Sequence, residues 1–111
     1  MTDTGPAILP ALLWCPFPDR DSAMQTANSL LDEDLIACAN IVPGMISTFV
    51  WNGIREQTEE VGALFKTNVD LLAQATARIE TLHPYDDPAI LGWHCDASAP
   101  GTAAWLGGIG S

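Results

Sequence analysis

The chain has 111 residues, enough for one domain with a modest core, and sets 14 acidic against 4 basic side chains for a formal charge of −10. The basic residues Arg20, Arg55, Lys66 and Arg78 stand singly, so phosphate neutralisation and anchoring to an anionic membrane are excluded as functions. Apolar content of 48% against 16% charged describes a folded chain rather than a disordered one.

Residues 1–6 carry no pattern and are expected to fray. Ile8 to Cys15 is an apolar run, interrupted by Pro10 and ended by Pro16 and Pro18, and reads as a buried strand. Asp19 is a good helix N-cap and Asp21 suits the first turn. Met24, Ala27, Leu30, Leu31 and Leu35 then recur at helical spacing, which predicts an amphipathic helix over 20–35. Ile36 to Val42 reads as a strand, with Pro43-Gly44 marking a turn or bulge in it. Ile46 to Trp51 is β-branched and aromatic. Asn52-Gly53 is a strong hairpin signal, and Ile54 to Phe65 returns as the partner strand. Gly62 within it weakens the strand or marks a close backbone approach.

Thr67 or Asn68 is the expected cap of a second helix, with Val69, Leu72, Thr76 and Ile79 on its buried stripe. Pro84 forces the residue before it out of the helical region, so that helix ends by Leu82. Ala89 to Cys95 reads as a strand, and Thr102 to Leu106 as a short terminal element whose Trp105 packs the tail.

The order strand, helix, hairpin, helix, strand is the split β-α-β pattern of a ferredoxin-like α+β fold. Residues 1–111 form one domain in this βαββαβ reading, with a long central hairpin. Both helices would cover one face of the sheet. The other face carries Trp14, Phe49, Trp51 and Trp93, which favours self-association over a bare apolar surface. Cys15, Cys38 and Cys95 are an odd set without C-x-x-C spacing, so no disulfide framework is expected. No leader pattern or spanning apolar run is present. Together these point to a soluble protein of the reducing cytoplasm, with neither membrane nor nucleic acid among its partners.

Four segments carry a resemblance. Leu35-Ile36-Ala37-Cys38-Ala39-Asn40-Ile41 is similar to the second-strand motif of the CutA divalent-cation-tolerance family. Ser47-Thr48-Phe49-Val50-Trp51-Asn52-Gly53 resembles that family's S-x-Y-x-W-x-G hairpin. Glu59-Glu60-Val61 and Leu64-Phe65-Lys66-Thr67 resemble its next strand. His83-Pro84-Tyr85-Asp86-Asp87-Pro88 resembles its H-P-Y-E-x-P turn. The set runs in order across most of residues 8–106. The chain departs from the pattern at Phe49, where Tyr is common, at Asp86 for Glu, at Gly62, and at Leu82, where some members add a second histidine. The resemblance implies a ferredoxin-like fold, a homotrimer joined through its sheets, and a role linked to copper and other divalent cations.

The resemblance also implies that Cys15 and His83 bind metal, copper or another divalent cation. A thiolate and an imidazole suit Cu(I), Cu(II) or Zn, but two ligands fall short of a closed site, and Glu59, Glu60 or a second chain would have to complete it. The plainer reading is a buried strand cysteine and a turn histidine bonded to a carbonyl. Lys66, the sole lysine, is expected either to pair with Glu59 or Glu60 or to join Thr67, His83 and Tyr85 in a cleft between subunits for a small anionic ligand. Asp86 and Asp87 read as a solvated turn, and Trp51 as an interface anchor. Two functions follow. The first is a trimeric, metal-binding protein of divalent-cation tolerance. The second is a trimeric small-ligand sensor or scaffold with no physiological metal. An enzyme is not expected, because no nucleophile motif appears and nothing local orients His83.

Overall fold

The computed structural model describes residues 8–110, so the expected fraying of residues 1–6 lies outside the described residues. In chain order the elements are β1 (Pro10–Phe17), α1 (Arg20–Asp32), β2 (Cys38–Trp51), β3 (Ile54–Asn68), α2 (Leu72–Leu82), β4 (Leu91–His94) and α3 (Pro100–Gly107). The strands form one antiparallel sheet in the order β2-β3-β1-β4. β3 lies between β1 and β2, which is the split crossover of the ferredoxin-like α+β fold.

Strand alternation divides the sheet into two faces. Leu13, Cys15 and Phe17 of β1 and Ala63 and Phe65 of β3 meet Ala23, Ala27 and Leu30 of α1 and Ala75 and Ile79 of α2 in one buried core. Phe17 and Phe65 meet edge to face, with ring centroids 6.4 Å apart. The opposite face carries Leu12 and Trp14 beside Trp93 and Leu91, paired Leu12↔Trp93 and Trp14↔Leu91. Gly62 lies under the Trp14 indole, where a Cβ would come within 2.3 Å of Trp14 Cη2. Of the two readings of Gly62, close approach is the one observed.

Asp19 caps α1 as expected, its Oδ1 accepting from Ser22 N–H at 2.8 Å. The helix ends at Asp32, short of residue 35, because Asp34 turns left-handed with φ 57°. There Leu35 N–H donates to Leu30 O and Asp34 N–H to Leu31 O, a Schellman cap. The buried stripe is rotated from the expected one: Ala23, Thr26, Ala27 and Leu30 face the sheet, while Met24 and Leu31 are exposed. Small residues at 23 and 27 let the helix sit close.

α2 starts later than predicted. β3 runs on through Thr67 and Asn68, paired with Ala11 and Pro10, so neither residue is a helix cap. Asn68 Oδ1 instead accepts from the N–H groups of Asp70 and Leu71 and shapes the turn. Val69 lies in that turn, and Thr76 spends its hydroxyl on Leu72 O rather than packing in the core. The helix stops at Leu82, with His83 extended at φ −68°, ψ 140°, as Pro84 requires. β4 is shorter than predicted, although Cys95 N–H still reaches Pro10 O. In α3 it is Leu106, not Trp105, that is buried.

The central hairpin dominates the shape. Asn52 and Gly53 both take positive φ, 52° and 78°, as a two-residue turn matched to strand twist needs. Pro43 and Gly44 form a bulge, two residues of β2 spanning what Val61 spans on β3. From Met45↔Glu60 to Trp51↔Ile54 the two strands pair only with each other, a ribbon extending roughly 23 Å at about 3.3 Å per residue. The molecule measures 58 × 26 × 22 Å with a radius of gyration of 15.4 Å, against about 13 Å for a compact chain of this length.

Candidate functional site

The site lies at the base of the ribbon, where the segment after α2 crosses toward β4. Pro84 turns the chain out of the helix, and His83 anchors that turn. Its Nε2–H donates to Pro16 O at 2.8 Å, and its Nδ1 accepts from Tyr85 N–H at 3.0 Å. A carbonyl can only accept and an amide can only donate, so the ring is the neutral Nε2–H tautomer. Phe17 stacks on it with centroids 4.3 Å apart. Burial lowers the His83 pKa from 6.5 against the opposing pull of Pro16 O and Glu60.

The anchored turn sends Tyr85 to Glu60, where its hydroxyl donates to Oε2 at 2.8 Å. Burial and this carboxylate raise the Tyr85 phenol to about 12. Glu60 sits one residue beyond the last β1–β3 pair, Phe17↔Val61, and is only 8% exposed. Around it opens a concavity of about 720 Å³ walled by Phe49, Trp51 and Tyr85 and edged by Asp86 and Asp87, within the size range of small-ligand sites. Ser47, Phe49 and Trp51 reach it because alternate residues of β2 share one face of the ribbon. No lysine or arginine is among its lining residues.

Several expected site residues stand elsewhere. Lys66 pairs with Leu12 and Cys38, four residues along β1 from Pro16, so about 13 Å of strand separates it from the His83 anchor. The proposed Lys66–His83–Tyr85 cleft is therefore not assembled within one chain. The pairing of Lys66 with Glu59 or Glu60 is also absent, since Lys66 stands six or seven positions from them along one extended strand. The ion pair found among the described residues joins Arg78 to Glu33. Thr67 is fully buried and donates to Leu35 O at 2.7 Å, a structural bond rather than a cleft contact. Glu59, opposite Ile46, is exposed, and alternation turns it away from Glu60.

Cys15 and His83 do not fit a metal centre. Cys15 points into the core, where burial first and the Glu60 charge second push its thiol up to about 12. A metal needs the thiolate. Both ring nitrogens of His83 are engaged, so no lone pair is free. Among the described residues no group of three or more His, Cys, Asp or Glu side chains could hold an ion. The sequence reading missed Phe49, Asp86 and Asp87 as lining residues. The signal for Phe49 was its i, i+2 relation to Trp51. Asp86 and Asp87 carried none, because only the fold brings that turn beneath the ribbon.

Residues 11–108 match the family described as CutA1 divalent ion tolerance protein. The Divalent-cation tolerance protein CutA of Pyrococcus horikoshii is 40% identical over 95 residues, 86% of this chain and 92% of the relative. The protein of the same name from Yersinia pestis is 40% identical over 77 residues, and that match spans 69% of this chain and 65% of the relative. The crystal structure of CutA1 from Ehrlichia chaffeensis superposes with a TM-score of 0.85 at 33% identity, covering 89% of this chain and 92% of that one. On fold, motifs and length matched, the chain belongs to the CutA family of divalent-cation tolerance proteins.

Proposed function

We propose that the chain acts in divalent-cation tolerance as a homotrimeric binding protein of the cytoplasm, and that its working site is the concavity around Glu60 and Tyr85 rather than Cys15 and His83. The observation that carries this reading is the Tyr85–Glu60 bond. A backbone-anchored turn holds a buried carboxylate at the floor of an aromatic-walled space, while Cys15 and His83 spend their polar atoms on the fold itself. The role of Cys15 and His83 is structural: one fills the core, and the other fastens the turn that delivers Tyr85. The three free cysteines, none of them paired, suit a reducing compartment. No enzymatic step is assigned.

Copper is the decisive ligand for the competing view. Calorimetric titration with Cu²⁺, Zn²⁺ and Mg²⁺ should give the same affinities for the natural protein and for Cys15→Ser. Loss of a tight copper site in Cys15→Ser alone would restore Cys15 and His83 as ligands and defeat this reading. Ligand-induced quenching of Trp51 fluorescence, lost in Glu60→Gln, locates binding at the concavity.

A further inference from the structure

Two charges on the open sheet face have no counter-charge beside them in their own chain. Strand alternation puts Lys66 on that face of β3, opposite Cys38 of β2 and Leu12 of β1, and Leu12 is in turn paired with Trp93 of β4. Leu64 and Asn68 flank Lys66 two residues away along the strand, so its strand neighbours include no carboxylate. Glu56 lies on the same face of β3, ten positions away on the ribbon, opposite Phe49 and between Ile54 and Thr58. Arg55 alternates to the other side of the ribbon. About 33 Å of extended strand separates Glu56 from Lys66, and neither belongs to the ion pair found among the described residues.

Each charge sits in an apolar patch of the kind that self-association covers. Leu12, Leu64 and Trp93 surround Lys66, while Phe49 and Ile54 adjoin Glu56. Covering either patch takes its charge out of water, which is costly for one charge alone and is offset when the two meet. Glu60, the other carboxylate of β3 on this face, already accepts from the Tyr85 hydroxyl. Lys66 is the one cation that the four strands place there. We infer that the ribbon of one copy lies across the open sheet face of the next, with Glu56 paired to Lys66 of the partner subunit. The patches that meet are different ones, so the contact is head-to-tail, a kind that can close into a ring, and the charge pair fixes its register. The inference rests on the homotrimer reading and names the contact that builds the assembly.

Sedimentation velocity over a dilution series tests this with charge reversals. Lys66→Glu and Glu56→Lys should each raise the concentration at which the assembly dissociates by about tenfold or more, because like charges then face each other across the contact. Lys66→Glu combined with Glu56→Lys should recover most of that loss. Lys66→Gln and Glu56→Gln form a milder cycle for the case that a reversal disturbs folding. There the double variant should lose less than the two single losses together. Single variants that dissociate no sooner than the natural protein overturn the inference and leave the homotrimer standing. Losses that simply add in the double variants place the two residues apart and also overturn it. A natural protein found as a single chain at micromolar concentration overturns both the inference and the reading beneath it.

Discussion

His83 shows how one neutral ring can position a site without joining its chemistry. It ties the turn to Pro16 O and presents Nδ1 to Tyr85 N–H, and protonation would replace that acceptor with a second donor. Burial lowers its folded pKa below 6.5. Below about pH 6.5 the unfolded chain therefore binds more protons than the folded one, so the contribution of His83 is present above that pH and lost as pH falls through the folded value. Thermal melts from pH 7.5 to 5 should show a decline in the natural protein that is visibly flatter in His83→Gln. Parallel slopes would mean that the ring titrates freely. Gly62 answers to packing instead. In Gly62→Ala the new methyl needs the place of the Trp14 ring, an overpacking that costs about 1–3 kcal/mol and is read by urea denaturation. An unchanged midpoint would show that Trp14 swings clear without loss.

Elements were legible where local chemistry decided them. Asp19, Asn52-Gly53, Pro43-Gly44 and Pro84 each have a backbone consequence fixed within a few residues, and each did as its sequence predicts. The start of α2 was illegible, because Thr67 and Asn68 are good caps in isolation and only their pairing with Ala11 and Pro10 holds them in the strand. The α1 stripe was misread for a similar reason. Its apolar spacing admits two faces, and the sheet chose the one with small residues. The site split along the same line. Tyr85 and Glu60 were visible as candidates, but their union, and the remoteness of Lys66, depend on which strand ends lie together. At the scale of the helix, Asp34 closes α1 with φ 57°, a conformation that glycine takes without strain. Asp34→Gly should raise stability by about 0.5–1 kcal/mol. A loss of stability in chemical denaturation would show that the Asp34 side chain does more than endure its backbone.

At the scale of the whole molecule, the ribbon asks for a partner. Isolated two-stranded hairpins are marginal in water, yet here seven residue pairs extend with no third strand beside them among the described residues. Ile46, Val50, Trp51 and Ile54 on that ribbon are each more than half exposed, as is Leu91 on the open sheet face, where Trp93 is 45% exposed. Burying each large side chain contributes roughly 1.5–3 kcal/mol, so several copies of this chain packed through ribbons and sheet faces gain far more than one chain left alone. Three copies are expected, and light scattering coupled to gel filtration should give about three times the chain mass of 11.8 kDa. Trp51→Ala should weaken assembly more than any change on α1 or α2, by about 3–5 kcal/mol for a truncated aromatic that becomes buried, seen as dissociation on dilution. A natural protein that elutes at the mass of a single chain would leave the ribbon without a partner copy. A Trp51→Ala variant that stays trimeric to nanomolar concentration would move the anchor elsewhere on the ribbon, with Val50 and Ile54 the next positions to truncate.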